Sequence, residues 1–160
     1  ASLPDKKEAV ANIRAALYAS KICSYAQGFA LMRAASQDFG YGLNYGATAR
    51  IWKGGCIIRA VFLDRIREAF EEQPGLPNLL MAPSFQREIV ERIDAWRAAV
   101  SLAIRLGLAV PDMSASLAYF DAYRRERLPA NLIQGQRDYF GAHTYRRTDI
   151  EGVFHTNWLG

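Results

Sequence analysis

The sequence has few of the residues that disulfide frameworks and metal sites are built from. Among 160 residues there are two cysteines, Cys23 and Cys56, and two histidines. Two cysteines do not make the disulfide framework of a small secreted domain, and their separation does not match the ligand spacing of a zinc site. We therefore expect no metal and a reducing compartment, the cytoplasm.

Long hydrophobic runs are also missing. The first ten residues, ASLPDKKEAV, lack the apolar centre of a secretory signal. The longest stretch without a charged residue, 73–86, contains three prolines and is too short to span a bilayer. We expect a soluble protein with no membrane partner.

Alternation of apolar and polar residues, the pattern of a half-buried strand, is not sustained anywhere in the chain. Apolar residues instead recur at spacings of three and four, as they do along one face of a helix. A hydrophobic fraction of 51% with 22% charged residues suits an ordinary folded domain. We predict an all-α domain over residues 1–143, followed by an extended C-terminal tail over residues 144–160.

Five helices are predicted from caps and breakers. The first opens at Asp5 and ends at Gly40, and the second covers 55–72 with Ile58 on its apolar face. The third covers 84–107 with Ser84 as its cap, and the fourth opens at Asp112 or Ser114. The fifth has Pro129 near its first turn and ends at Gly141. Lys53-Gly54-Gly55 is predicted to open the second helix. Free amides there could bind an anion, although an ordinary helix-start turn is the simpler interpretation.

The segment with most chemistry is residues 137–145, RDYFGAHTY. Arg137 carries a planar fork that can bind a phosphate or carboxylate through paired hydrogen bonds. His143 follows six residues later, and a histidine donates readily to an anion near physiological pH. Gly141 is expected to turn the backbone between them. His155, near the end of the chain, is expected to make a tail contact and not to act as a catalyst.

Basic charge is concentrated around this segment. Residues 124–147 hold six arginines against Glu126 and Asp138, a net charge of +4 that equals the formal charge of the whole chain. Such an excess attracts an anionic partner, or it simply stabilises the negative end of a helix. The residues alone thus predict an α-helical domain with an anion-binding segment. A nucleic-acid-binding module and a free-standing oligomerisation domain stay open as alternatives.

RDYFGAHTY and the later FHTNW resemble the C-terminal end of the 6-phosphogluconate dehydrogenase (decarboxylating) family. The resemblance extends over essentially the whole chain through three strings in the same order: ALYASKICSYAQGF (16–29), LNYGATARIWKGGCIIRAVFLDRI (43–66) and LPANLIQGQRDYFGAHTY (128–145). Family members are longer and begin with a Rossmann domain that binds NADP. That domain, with the family's catalytic lysine and glutamate, is not in this sequence.

The resemblance implies a homodimer in which the tail of one subunit reaches the active site of the other. The apolar surface of the predicted helices also favours a dimer, because it exceeds what one small bundle can cover. By resemblance, Arg137 would bind the 6-phosphate of 6-phosphogluconate in trans and His143 would hydrogen-bond the same substrate. Neither would carry out the hydride transfer to NADP or the decarboxylation to ribulose 5-phosphate. With no catalytic or cofactor-binding residue of its own, the isolated chain is expected to be inactive.

Overall fold

The structure, a computed structural model, describes residues 5–57, 60–158 and 160. They form seven α-helices and one short 3₁₀ helix: α1 (Lys6–Phe39), α2 (Tyr45–Gly55), α3 (Phe62–Glu72), the 3₁₀ helix (Leu79–Met81), α4 (Pro83–Val90), α5 (Ile93–Arg105), α6 (Pro111–Tyr123) and α7 (Asn131–Gly141). The predicted all-α fold is confirmed. Every helix in these residues is too short or too polar to cross a membrane.

Helix α1 begins and ends where the sequence predicts. The Asp5 carboxylate accepts hydrogen bonds from the amides of Lys7 at 2.7 Å and Glu8 at 3.0 Å, which satisfies two donors at the helix start. At the other end Gly40 adopts a left-handed conformation with φ of 68°, and its amide donates to the Ser36 carbonyl. The cap and the breaker read from the sequence therefore set the length of this helix.

The chain divides into two compact units, residues 1–121 and residues 122–160. In the first unit, α1 packs against α5 and α2 packs against α3. Phe29 of α1 lies at the centre of an aromatic cluster, with ring centroids 5.3 Å from Trp52 and 5.1 Å from Phe70. Trp96 of α5 is fully buried. This core supports the helices; the residues of the predicted site belong to the second unit.

One helix was not predicted. Residues 45–55 form α2, whose N-cap Asn44 accepts from the amide of Ala47 at 2.8 Å. Lys53-Gly54-Gly55 consequently ends α2 and does not open the next helix. The prediction of a helix start there, with free amides for an anion, is wrong. Lys53 instead pairs with Asp64 at 2.5 Å. Helix α3 begins only at Phe62, and Ile58, assigned above to its apolar face, lies outside the described residues.

The helix predicted over 84–107 is two helices. Helix α4 ends at Val90, and a turn at Glu91 and Arg92 separates it from α5. The Arg92 guanidinium donates to the Glu88 carbonyl at 2.8 Å, while the Arg92 amide turns to the Ile89 carbonyl at 3.0 Å. Apolar spacing continues through this turn, which explains why the sequence pattern suggests a single helix.

Two predicted helix boundaries also shift. Helix α4 starts at Pro83, whose ring suits the first helical position, so Ser84 is not its cap. Pro111, expected only after a helix end, occupies the first turn of α6. Both differences place a proline at the beginning of a helix, where its missing amide proton costs nothing.

Candidate functional site

The structure brings Arg137 and His143 together. Arg137 lies on α7, and its Nη2 is 3.4 Å from Nδ1 of His143, just beyond the helix. The other terminal nitrogen, Nη1, is 3.4 Å from the Gln134 side-chain oxygen. Both site residues are exposed. Because these contacts are long and the pair faces solvent, the guanidinium and the imidazole are available to a ligand.

Arg137 has no carboxylate within ion-pair distance among residues 5–57, 60–158 and 160. Arg147, by contrast, forms a two-pronged pair with Asp149 at 2.8 and 2.5 Å. The pair raises the pKa of Arg147 through the hydrogen bonds to Asp149, and it lowers the pKa of Asp149 by the same contact. The basic excess of the segment is thus partly neutralised at Arg147.

The turn that positions His143 differs from the expected one. Helix α7 does end just before His143, as predicted, but Gly141 remains helical. The residues with positive φ are Ala142 at 48° and Thr144 at 61°. Such angles are unfavourable for residues with a Cβ and persist where surrounding contacts hold them. Here the Gln134 side-chain amide donates to the Thr144 carbonyl at 2.7 Å.

Asp138 is the residue that the sequence reasoning missed. It was counted only as a charge, yet its side chain is completely buried. Its carboxylate is acceptor to four donors: the amides of Thr144 and Thr156, both at 3.0 Å, and the ring nitrogens of His155 and Trp158, both at 2.9 Å. His155 therefore makes a tail contact, in line with its predicted role.

The ionisation of Asp138 reflects these contacts. Burial disfavours the charged form, but hydrogen bonds from Thr156, His155 and Trp158, with the charge of His155, outweigh it. The result is a pKa of about 2, below the ordinary 3.8. Asp138 is therefore an acceptor at any physiological pH and cannot serve as a proton donor there.

The tail folds back along α7. Tyr145 and Phe154 exchange two backbone hydrogen bonds, 2.9 and 2.8 Å long, in an isolated antiparallel bridge, and their rings stack with centroids 6.1 Å apart. Beyond the bridge, Trp158 packs edge-on against Tyr139 of α7 at 6.0 Å. The residues predicted as a tail without period are thus ordered by one bridge and by the contacts to Asp138.

A cavity of about 360 Å³ also lies in this unit, and it includes neither Arg137 nor His143. Its lining comes from the start of α7 and from the tail: Asn131, Gln134, Gly135, Tyr145, Arg146, Arg147, Thr148, Asp149, Thr156 and Trp158. In the part of the chain that the structure describes, no three histidine, cysteine, aspartate or glutamate side chains are grouped as a metal site requires.

We expect acid to release the tail from α7. Since the folded pKa of Asp138 is lowered from 3.8 to about 2, its stabilisation is complete above about 3.8 and is lost as the pH falls toward 2. The indole N–H resonance of Trp158 should shift cooperatively between pH 4 and 2. Asp138→Asn should lack this transition, whereas Asp149→Asn, which removes an exposed carboxylate of the same unit, should keep it. A transition that survives Asp138→Asn would contradict the assignment.

Comparison with known proteins gives one consistent result. Residues 1–158 match the family model described as 6-phosphogluconate dehydrogenase, C-terminal domain. The chain is 66% identical over 155 residues to 6-phosphogluconate dehydrogenase, decarboxylating 2, of Arabidopsis thaliana, covering 97% of this chain and 32% of that protein. It is 58% identical to 6-phosphogluconate dehydrogenase, decarboxylating, of Synechococcus elongatus, covering 97% and 33%.

A solved structure is similar over nearly the whole chain. The 6-phosphogluconate dehydrogenase of Plasmodium falciparum, studied in its apo form and in complexes with NADP+ and with 6-phosphogluconate, matches with a TM-score of 0.90 and 45% identity, covering 99% of this chain and 34% of that one. The chain thus spans about a third of the length of the proteins that it matches.

Proposed function

Since the chain belongs to the 6-phosphogluconate dehydrogenase family, we propose that it acts as the C-terminal domain of an NADP-dependent, decarboxylating 6-phosphogluconate dehydrogenase. The enzyme would oxidise 6-phosphogluconate and release CO₂ and ribulose 5-phosphate. The observation that carries this proposal is the exposed pair of Arg137 and His143, with 3.4 Å between Nη2 and Nδ1.

In this proposal Arg137 binds the 6-phosphate of the substrate. A guanidinium offers two parallel N–H donors that match two phosphate oxygens, and charge-assisted bonds of this kind are among the strongest in proteins. The guanidinium of Arg137 has no competing carboxylate among the described residues. His143, next to it, adds a ring nitrogen as a further hydrogen-bonding group. Together they bind and orient the phosphorylated end of the substrate, and positioning of this kind accounts for a large part of many rate enhancements.

NADP, when bound, accepts the hydride, but the residues of this chain do not fit it. The sequence contains no G-x-G-x-x-G, and the structure describes no strand leading into a glycine-rich turn and helix. We therefore assign the nucleotide to a separate Rossmann domain of the longer enzyme. No step of the reaction is assigned to a side chain of this chain beyond substrate binding.

We further propose a homodimer in which the tail, residues 144–160, reaches the partner subunit, and Arg137 and His143 complete the partner's active site in trans. Support comes from apolar side chains left in solvent: Leu132 and Phe140 on α7 are 84% and 77% exposed, and Leu31 on α1 is 72% exposed. Apolar side chains of this size are typical of subunit interfaces. Burial against a second copy would remove them from water.

The cytoplasm remains our proposed location. Relatives from Spinacia oleracea and Arabidopsis thaliana whose names include "chloroplastic" are 60% and 62% identical to this chain. Sequences close to this one therefore occur in more than one compartment, and a fluorescent fusion of the complete gene product would locate it.

A hybrid enzyme tests the proposed function. The C-terminal third of the Arabidopsis relative is replaced by this chain, and NADPH formation is followed by absorbance. We expect turnover that depends on 6-phosphogluconate, because identity of 66% preserves the packing surfaces. The isolated chain and the Arabidopsis enzyme without its last third should both be inactive. A hybrid that is folded, dimeric and able to bind NADP but cannot oxidise the substrate would refute the proposal.

A further inference from the structure

We propose that Asp138 is a positioning residue for substrate binding: its buried carboxylate fixes the turn that places His143 beside Arg137 and attaches the tail to the same point. This inference rests on the proposed function and adds a residue that does not itself touch the substrate. Asp138 follows Arg137 directly on α7, but its side chain is fully buried whereas that of Arg137 is exposed.

Asp138 holds the residues on both sides of His143. The amide of Ala142, the residue before it, donates to the backbone carbonyl of Asp138 at 2.9 Å. The amide of Thr144, the residue after it, donates to the carboxylate of Asp138 at 3.0 Å. Both neighbours of His143 are therefore held by hydrogen bonds to one residue of α7, Asp138.

The turn that contains His143 has an unfavourable backbone conformation. Ala142 and Thr144 both have positive φ, a region that residues with side chains avoid. Truncation of the Asp138 side chain to alanine leaves the backbone bond to Ala142 but removes the acceptor for Thr144. The turn is then free to relax, and His143 moves with it, away from Nη2 of Arg137.

Asp138 also binds the tail. The other carboxylate oxygen, Oδ2, accepts from the Thr156 amide at 3.0 Å and from the Trp158 indole at 2.9 Å, while His155 bonds to Oδ1 at 2.9 Å. An ionised carboxylate accepts on both oxygens, whereas an asparagine amide accepts on one and donates on the other. In Asp138→Asn, the side-chain NH2 group therefore faces N–H donors that an oxygen accepts in the original protein. The volume of the side chain stays almost unchanged.

The test is a set of variants in the hybrid enzyme. Asp138→Asn should raise KM for 6-phosphogluconate about tenfold, because a displacement of binding groups by about 1 Å is enough for effects of this size or larger. KM for NADP should stay constant. Asp149→Asn is the matched control, since it removes an exposed carboxylate in the same unit and should leave both constants unchanged.

A second background separates positioning from general loss of structure. If Asp138 acts through the pair, Asp138→Asn should have little further effect on KM once Arg137→Ala and His143→Ala are already present. Equal effects in both backgrounds, or a fall in kcat with no change in KM, would overturn the inference. Trp158→Phe removes a single donor and keeps an aromatic ring, so it should give a smaller increase, about twofold. It replaces Asp138→Asn in the test if that variant does not fold.

Hydrogen exchange in the 160-residue chain gives a readout that is independent of catalysis. Asp138→Ala, which removes both accepting oxygens, should accelerate exchange of the Thr144 amide by about tenfold or more, and Asp149→Ala should not. Unchanged exchange at Thr144 would refute the positioning role even if the hybrid enzyme is active. Accelerated exchange together with an inactive parent hybrid would instead count against the proposed function, and the turn would remain as assigned.

Discussion

Two variants of the hybrid enzyme that are almost inactive at limiting 6-phosphogluconate should become active when they are mixed. One carries Arg137→Ala with His143→Ala, and the other carries a substitution of the family's catalytic lysine in the Arabidopsis part. If Arg137 and His143 act across the dimer, a heterodimer has one site that combines an intact lysine with an intact Arg137 and His143. Random exchange makes half of the dimers mixed, so about a quarter of the unmodified activity should return. The assay is NADPH formation after subunit exchange at limiting 6-phosphogluconate.

The control is the same pair of variants assayed before exchange, when each should show almost no activity at the same limiting concentration of 6-phosphogluconate. Two different affinity tags would allow the heterodimer to be isolated and assayed on its own. An isolated heterodimer without activity would mean that Arg137 serves the subunit to which it belongs. In that case the proposed arrangement in trans is wrong, while the phosphate-binding role is unaffected.

Arg137→Ala alone should raise KM for 6-phosphogluconate by roughly tenfold to a hundredfold. The contact that we propose is charge-assisted and paired, and such contacts contribute about 1.5–3 kcal/mol. KM for NADP should hardly change, because we expect the nucleotide to bind in the separate Rossmann domain. Arg137→Lys should recover only part of the affinity, since an ammonium group supplies the charge without the fork. Initial rates at varied concentrations of each substrate measure these effects.

Arg146→Ala is the matched control for Arg137→Ala. Arg146 is exposed, carries the same charge and lies in the same unit, but it lines the separate cavity of about 360 Å³. A purely electrostatic attraction would weaken similarly in both variants, and a specific contact would weaken only in the first. Unphosphorylated gluconate gives a second comparison: its KM should not respond to Arg137→Ala. An equal response for both substrates would contradict phosphate binding.

Much of the fold could be predicted from residues that act locally. Asp5 and Gly40 determine the ends of α1 through their own backbone contacts, and those contacts depend only on near neighbours. The turn at Arg92 could not be predicted, because the apolar spacing continues through it. The Arg92 side chain binds the Glu88 carbonyl in place of a helical amide. Helix α2 was missed since glycines at 54 and 55 were interpreted as a start when they form an end.

The candidate site was predictable only in part, for a similar reason. Arg137 and His143 could be selected by their chemistry and their proximity in sequence. Asp138 could not, because most of its donors come from residues 155–158, which follow a segment without periodicity. One signal was available: a single aspartate in the middle of a short helix, in a segment otherwise rich in arginine. Its burial depends on a fold of the tail that no local pattern indicates.

The bridge between Tyr145 and Phe154 has a consequence for how this region can evolve. It closes residues 146–153 into a loop whose two ends are held together by the bridge. A change in the length of this loop therefore leaves the contacts to Asp138 unaffected. The entropy of closing a loop grows slowly with its length, by about 0.6 kcal/mol for each doubling. Insertions and deletions can therefore accumulate between the two bridge residues at little cost to folding, while the spacing from Phe154 to Trp158 has to stay constant. Natural length variation, and the placement of an inserted peptide epitope, should be tolerated in the first interval and not in the second.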